Sequence, residues 1–152
     1  MAESEFKRSA SAILIAGIVA GSIDVGCAAL INHAAPTRIL QVIASGLIGR
    51  AALSAGNGSV VLGLILQWLM SIIIAAIYVV SARYKAAFLQ RWVVAGFLYG
   101  TLVFAVMNFV VVPLSAMPFH SRHTLQGITL NLAAMWLFGL IIAFFARRML
   151  IR

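Results

Sequence analysis

Apolar residues fill four long stretches of this chain, and short polar connections separate them. An α-helix rises about 1.5 Å per residue, so about 20 apolar residues cross the roughly 30 Å hydrocarbon layer of a membrane. Each stretch has that length, and the pattern predicts transmembrane helices near residues 11–32, 60–82, 92–112 and 125–146. We therefore expect residues 1–152 to form one all-α domain, an integral membrane four-helix bundle.

An additional helical segment is predicted between the first two spans, over residues 36–53. Pro36 favours the first turn of a helix, and Arg38, Gln41 and Ser45 then fall on one side with apolar residues on the other. A helix of this length is too short to cross a membrane. We expect an amphipathic helix that either lies in the outer interface or re-enters the bundle.

Composition agrees with a membrane environment. The 152 residues are 64% hydrophobic and only 9% charged, whereas a typical soluble domain is about 25% charged. The chain therefore lacks the polar surface that a soluble domain of this size needs.

Lysine and arginine are distributed unevenly over the predicted connections. The side that carries both termini and the connection near residues 83–91 holds eight of the 11 Lys and Arg residues, and the other side holds three. Because cytoplasmic segments are enriched in these residues, the sequence predicts a multi-pass bacterial inner-membrane protein with cytoplasmic N- and C-termini. The net charge of +8 follows from this topology and from contact with anionic lipid. No basic stripe with interleaved aromatic residues indicates nucleic-acid binding.

Each predicted span contains an isolated polar side chain, and the set is Asp24, Gln67, Asn108 and Asn131. A polar group in hydrocarbon is costly unless it finds a partner or water. Counted along the helices, all of them lie about 6–12 Å below the outer ends of the spans. We expect an intramembrane polar cluster beneath the outer surface. The alternative is that these side chains only hold the helices together.

Asp24 is the only acid within the predicted spans. An aspartate at that depth is protonated, paired with a cation or in contact with water. If the amphipathic segment re-enters, Arg38 and Arg50 are the candidate counter-ions. If it lies flat, we expect a neutral acid that is hydrogen-bonded to Gln67 or Asn131.

Glycines recur at helical spacing in the predicted spans. Small residues allow membrane helices to approach closely, since their backbones can then come into contact. The glycines expected to serve helix packing are Gly17, Gly21, Gly63, Gly96 and Gly100.

The three histidines, His33, His120 and His123, all map to the predicted outer side. Imidazole titrates near about pH 6.5, so these side chains are predicted to sense the pH outside the membrane. We predict no metal site, because no carboxylate lies near enough to orient them as ligands.

Motifs of catalysis and cofactor binding are missing from the sequence. It has no phosphate loop, no His-Glu-x-x-His, no nucleophile elbow and no dinucleotide fingerprint. Cys27 is the single cysteine, so an intrachain disulfide cannot form. We expect neither an enzyme nor a bound cofactor.

Several glycine-rich runs resemble those of a family of small bacterial membrane proteins. They are Ala20 to Asp24, Ile43 to Gly49, Tyr99-Gly100, Met107-Asn108, Val111 to Leu114, and Phe138 to Leu140 followed by Ala143. Through these runs the chain resembles the YagU-like family of uncharacterised four-helix inner-membrane proteins. The resemblance implies a location, a fold and a link to acid stress rather than a defined activity.

Two functions are predicted. The first is a non-catalytic membrane protein that self-associates as a homo-oligomer or serves as an accessory subunit of a larger membrane complex, which the small-residue helix faces favour. The alternative is a channel or transporter for protons or a small solute, lined by the outer polar cluster. Four short helices make a narrow pathway, so this alternative favours an oligomer. In both cases the lipid bilayer is the surrounding partner.

Overall fold

The computed structural model describes residues 2–117 and 124–151, and this part of the chain is helical without any strand. The helices, labelled α1 to α6 in chain order, are Ala2–Ile31, Pro36–Ile48, Asn57–Tyr84, Ala87–Gln90, Trp92–Leu114 and Leu125–Leu150. A 3₁₀ turn, Gly49–Leu53, follows α2. The predicted all-α class is confirmed.

Four of the helices, α1, α3, α5 and α6, are long and apolar enough to cross a membrane. In the most apolar 18-residue segment of each of these helices, only 17–28% of the residues are buried inside the protein. Large aliphatic and aromatic side chains therefore cover the outside of the bundle, which reverses the arrangement of a soluble protein.

Helix α1 packs against both α3 and α6, and α6 packs in turn against α5. The core between them consists mainly of small side chains around a few large ones. Its fully buried members include Ala12, Ala16, Ala20, Ala75, Tyr78, Val79, Ile142, Ala143 and Ala146. Alanines of this kind let helices come together at short range, which is the packing typical of membrane helices.

Glycines mark the closest helix crossings. A Cβ added at Gly17 would meet the backbone of Ile72 at 2.7 Å, and one added at Gly21 would meet Ser71 Oγ at 2.5 Å. Gly63 faces the main-chain carbonyl of Leu40 in α2.

The crossing of α5 and α6 is built in the same way. Gly96 and Gly100 of α5 face the α6 backbone, and Gly139 of α6 faces the backbone of both glycines in return. Gly139 was not among the predicted packing residues, although its position belongs to the same contact.

Helix α2 is docked on the bundle. Its buried residues, Leu40, Ala44 and Ser45, lie on the side that contacts the start of α3. Arg38 Nη1 donates to the Leu53 carbonyl over 3.3 Å, so the polar side of α2 is bonded to the turn that follows it. This rigid attachment positions the connection between α1 and α3.

The start of α1 and the end of α6 lie at one end of the bundle, which we call the terminal end, and the opposite end is the distal end. At the terminal end, Arg83 of α3 pairs with Glu5 of α1 at 3.2 Å and donates to Ser9 Oγ at 3.0 Å. Arg147 of α6 lies over the ring of Trp92, 5.7 Å from its centroid. Basic side chains thus join neighbouring helices at this end.

Candidate functional site

A polar cavity of about 420 Å³ lies between α1, α5 and α6 at the distal end. Its walls combine polar and apolar side chains from all three helices. The lining residues are Asp24, Ala28, Ile31, Asn32, Phe104, Met107, Asn108, Thr124, Gly127, Ile128, Asn131 and Met135.

Helical periodicity explains why these residues meet. Asp24 and Ala28 of α1 and Asn32, just beyond its end, are spaced by four residues, and the Asn32 N–H still bonds to the Ala28 carbonyl. On α6, Gly127, Asn131 and Met135 are spaced in the same way. Residues at such intervals occupy one face of a helix. When these two faces and the end of α5 turn toward each other, the helices enclose a cavity that no single segment defines.

The structure brings together three of the four predicted polar residues. Asp24, Asn108 and Asn131 all line the cavity. Gln67 lies behind it, buried in α3, where its Nε2 donates to Asp24 Oδ2 over 2.9 Å and to the Gly21 carbonyl over 3.2 Å. Gln67 therefore fixes the carboxyl group of Asp24 and joins α3 to α1.

Among the polar lining residues, Asp24 lies furthest along its helix from the distal end. It precedes Ile31, the last residue of α1, by seven positions, which corresponds to about 10 Å along the helix. One turn further toward the terminal end, Ala20, Val103 and Phe138 are buried core residues. The cavity is consequently closed beneath Asp24.

The predicted counter-ions do not contact Asp24. Within residues 2–117 and 124–151, the ion pairs are Lys7 with Glu3 and Arg83 with Glu5. Arg38 bonds to Gln41 Oε1 and to a backbone carbonyl, and Arg50 is exposed. In the described part of the chain, the bonding partner of the Asp24 carboxyl is an uncharged amide.

The other amides of the cavity bond within their own helices. Asn32 Nδ2 donates to the Ala28 carbonyl at 2.8 Å, and Asn131 Nδ2 donates to the Gly127 carbonyl at 2.7 Å. Asn108 Nδ2 donates to the carbonyl of Phe104 at 2.8 Å. A backbone carbonyl only accepts hydrogen bonds, so each amide must present its NH₂ group to the helix.

This bonding pattern separates the two interpretations of the polar residues. Gln67 connects helices, as a residue that holds the bundle together should. The amides of Asn108 and Asn131 each bond within their own helix. Hydrogen bonding between helices thus explains why Gln67 and Asp24 are polar. It does not explain why Asn108 and Asn131, on the cavity wall, are polar.

The backbone of α5 is irregular where it borders the cavity. Met107–Val111, which includes Asn108, is π-helical. Short π-helical segments inside α-helices occur frequently at functional sites. Pro113 lies just beyond, and because it has no N–H, it cannot donate to the carbonyl four residues earlier. The polar wall contributed by α5 therefore coincides with a break in regular helical bonding.

Two lining residues, Asn32 and Thr124, were missing from the predicted polar set. Both lie at the boundary between a helix and a connection, where polar residues are common and give no signal of their own. The spacing of Asn32, eight residues after Asp24, was the available signal. Thr124 caps α6, since its Oγ1 accepts from the Gly127 N–H at 3.1 Å.

Of the three histidines predicted to sense pH, His33 lies in the described part of the chain. His33 is exposed in the turn after α1, with a backbone φ of 49°. His120 and His123 lie outside the described residues. Among residues 2–117 and 124–151, no group of three His, Cys, Asp or Glu side chains is placed to hold a metal ion.

Comparisons of this chain with protein-family models, with curated proteins and with solved structures gave no match.

Proposed function

We propose that this chain is a multi-pass protein of the bacterial inner membrane with both termini in the cytoplasm. Four helices of membrane-spanning length and a surface of large apolar side chains support the first part. The excess of Lys and Arg on the side of the termini supports the orientation. In this orientation the distal cavity opens toward the outside of the cell.

We further propose that the distal cavity takes up a small polar solute, as the outward-facing state of a transporter. The observation that carries this proposal is the convergence of Asp24, Asn108 and Asn131, from three helices, on one cavity. Intramembrane polar residues that face a cavity commonly mark a solute or proton pathway. Transport would require α5 or α6 to move, because buried core residues close the bundle below Asp24.

Solute entry into proteoliposomes tests this function. The purified full chain would be reconstituted, and stopped-flow light scattering would follow the entry of a neutral, a cationic and an anionic solute of similar size. We expect at least one solute to enter faster than in protein-free liposomes, and Asn131→Leu to reduce that rate. The control is Gly26→Ala, since nothing lies within 4 Å of a Cβ added at Gly26. Equal rates with and without protein would overturn the proposal.

A second candidate function is the non-catalytic accessory or self-associating subunit. The closed core beneath the cavity favours it, because this conformation offers a solute no path past Ala20, Val103 and Phe138. Native mass spectrometry of the tagged protein, extracted gently from its own membrane, distinguishes the two. A defined heteromeric mass would favour the accessory role. The YagU-like resemblance and the acid-stress role that it implies stay predictions.

A further inference from the structure

We propose that the solute taken up by the distal cavity is a small alkylammonium ion. This inference rests on the proposed uptake function and adds the chemical class of the solute. It is argued from the charge of the cavity wall, the hydrogen-bonding capacity of its side chains and the apolar surface between them.

The described cavity wall contains one acidic side chain and no basic one. Asp24 is the acid, and the other described polar lining residues are the uncharged Asn32, Asn108, Thr124 and Asn131. An anion entering this space would meet a carboxyl group and amide dipoles in a region of low dielectric. With the Asp24 carboxyl ionised by contact with water in the cavity, a cation would find complementary charge there.

The hydrogen-bonding groups of the cavity wall favour a ligand that donates hydrogen bonds. Because the three asparagines turn their NH₂ groups toward helix carbonyls, their Oδ1 atoms keep both lone pairs. The described hydrogen bond of the Asp24 carboxyl engages Oδ2. An ammonium group carries donors and no acceptor, so it matches this set of oxygens.

The number of charges argues for a monovalent ion. Calcium sites use about six to eight oxygen ligands, several of which are carboxylates. Here a single carboxyl group lies among neutral amides. The single carboxyl group of this wall can therefore balance one positive charge.

Apolar side chains alternate with these oxygens, which favours an organic cation over an inorganic one. Ile31, Ile128 and Met135 provide aliphatic and thioether surface, and Phe104 of α5 adds an aromatic side chain to the lining of the same cavity. Alkyl groups gain from contact with such surface, and aromatic faces attract cations. A cavity of about 420 Å³ accommodates an ion of this kind together with several waters.

Charge-matched thiol reagents test the proposal. Asn131→Cys would be made in a Cys27→Ser background, with Asn108→Cys as a second site in case the first variant does not fold. The reaction rates of purified protein with cationic aminoethyl methanethiosulfonate and anionic sulfonatoethyl methanethiosulfonate would be compared. Their ratio would be divided by the ratio for a small free thiol.

We expect the normalised ratio to favour the cationic reagent by about tenfold, which is the lower end of the enrichment produced by a charged cleft. Adding Asp24→Asn, which keeps the shape of the side chain, should bring the ratio close to one. Ethylammonium chloride should slow the cationic reagent, whereas potassium chloride at equal ionic strength should not.

The outcomes separate failure of this inference from failure of the proposed uptake. If both reagents react at the reference ratio, or the anionic one is favoured, the cavity admits solutes but is not cation-selective, and the inference is wrong. Equal protection by potassium would also overturn it, in favour of an inorganic cation. If neither reagent reacts at either site, the cavity is closed to water, and the uptake function fails with it.

Discussion

Replacing Gly139 by alanine should destabilise the bundle, because this glycine lies at the closest approach of α5 and α6. An added Cβ would lie 2.8 Å from the Gly100 nitrogen and 3.0 Å from its Cα, where ordinary contact begins at 3.4 Å. The obstructing atoms belong to the backbone, so no side chain can rotate away. The carbonyl oxygen of Gly96 lies nearer still, so the two helices must separate locally by at least about 0.6 Å, the difference between 3.4 and 2.8 Å.

The expected magnitude follows from this separation. A gap of about 0.5–1 Å forfeits roughly a quarter to a half of the attraction between facing atoms, and overpacking of a close contact typically costs about 1–3 kcal/mol. Alanine also has a higher intrinsic helix propensity than glycine, by about 1 kcal/mol. The stability gained from this higher helix propensity must be subtracted, by comparison with a control variant, before the cost of overpacking can be measured.

Gly26→Ala supplies the matched control. Gly26 lies inside α1 and an added Cβ would have no neighbour within 4 Å, so this substitution gains helix propensity without overpacking. We expect Gly139→Ala to be less stable than Gly26→Ala by about 1–3 kcal/mol. Unfolding in mixed micelles with increasing dodecyl sulfate, followed by circular dichroism, measures the difference. Equal stability of the two variants would refute the helix crossing described here.

Three further substitutions test individual contacts. Gln67→Leu removes the amide that donates to Asp24 Oδ2 and to the Gly21 carbonyl of α1. We expect the free energy of unfolding to fall by about 0.6–1.7 kcal/mol in the same assay. An unchanged value would mean that these bonds are not formed. Tyr99→Phe removes the hydroxyl that donates to the Ile74 carbonyl at 2.6 Å, with an expected cost of about 0.6 kcal/mol; a stabilised variant would contradict this. Arg83→Gln breaks an exposed ion pair with Glu5. The free energy of unfolding should fall by less than about 1 kcal/mol, and by less still in high salt. A decrease that does not depend on salt would argue against a solvated pair.

The long helices could be predicted from the sequence because length and apolarity are local properties. Details of their ends depend on neighbours. The third span was expected to end at residue 112, yet α5 continues through Pro113 to Leu114. Proline is tolerated there because the helix stops within one turn, and the π-helical segment Met107–Val111 precedes it. Hydropathy carries no signal for such a segment.

The sequence predicts the depth of the polar residues and their clustering, but not the place that each residue takes in the cluster. A rise of about 1.5 Å per residue is enough to place Asp24, Asn108 and Asn131 in the same half of the bundle. Which side chains meet depends on how each helix is rotated about its axis. A bond from Asp24 to Gln67 was one predicted alternative, but the position of Gln67 behind the cavity, with Asn108 and Asn131 on its wall, depends on helix rotation.

That neither Arg38 nor Arg50 pairs with Asp24 in the described part of the chain also depends on tertiary structure. Arg38 and Arg50 are near α1 along the chain, and the sequence offered either as a counter-ion. In the structure, the docking of α2 directs the bonds of Arg38 to Gln41 and to the turn after α2. Docking of this kind is set by contacts such as Gly63 against the Leu40 carbonyl, which only the folded chain reveals.

The accessibility of Asn131 from each side of the membrane tests the central claim most directly. Asn131→Cys in a Cys27→Ser background would be exposed to a membrane-impermeant maleimide in right-side-out and in inside-out vesicles. If the distal cavity is an outward-facing polar site, the thiol reacts in right-side-out vesicles and is protected in inside-out ones. Reaction from the cytoplasmic side alone, or no reaction in either preparation, would contradict the account.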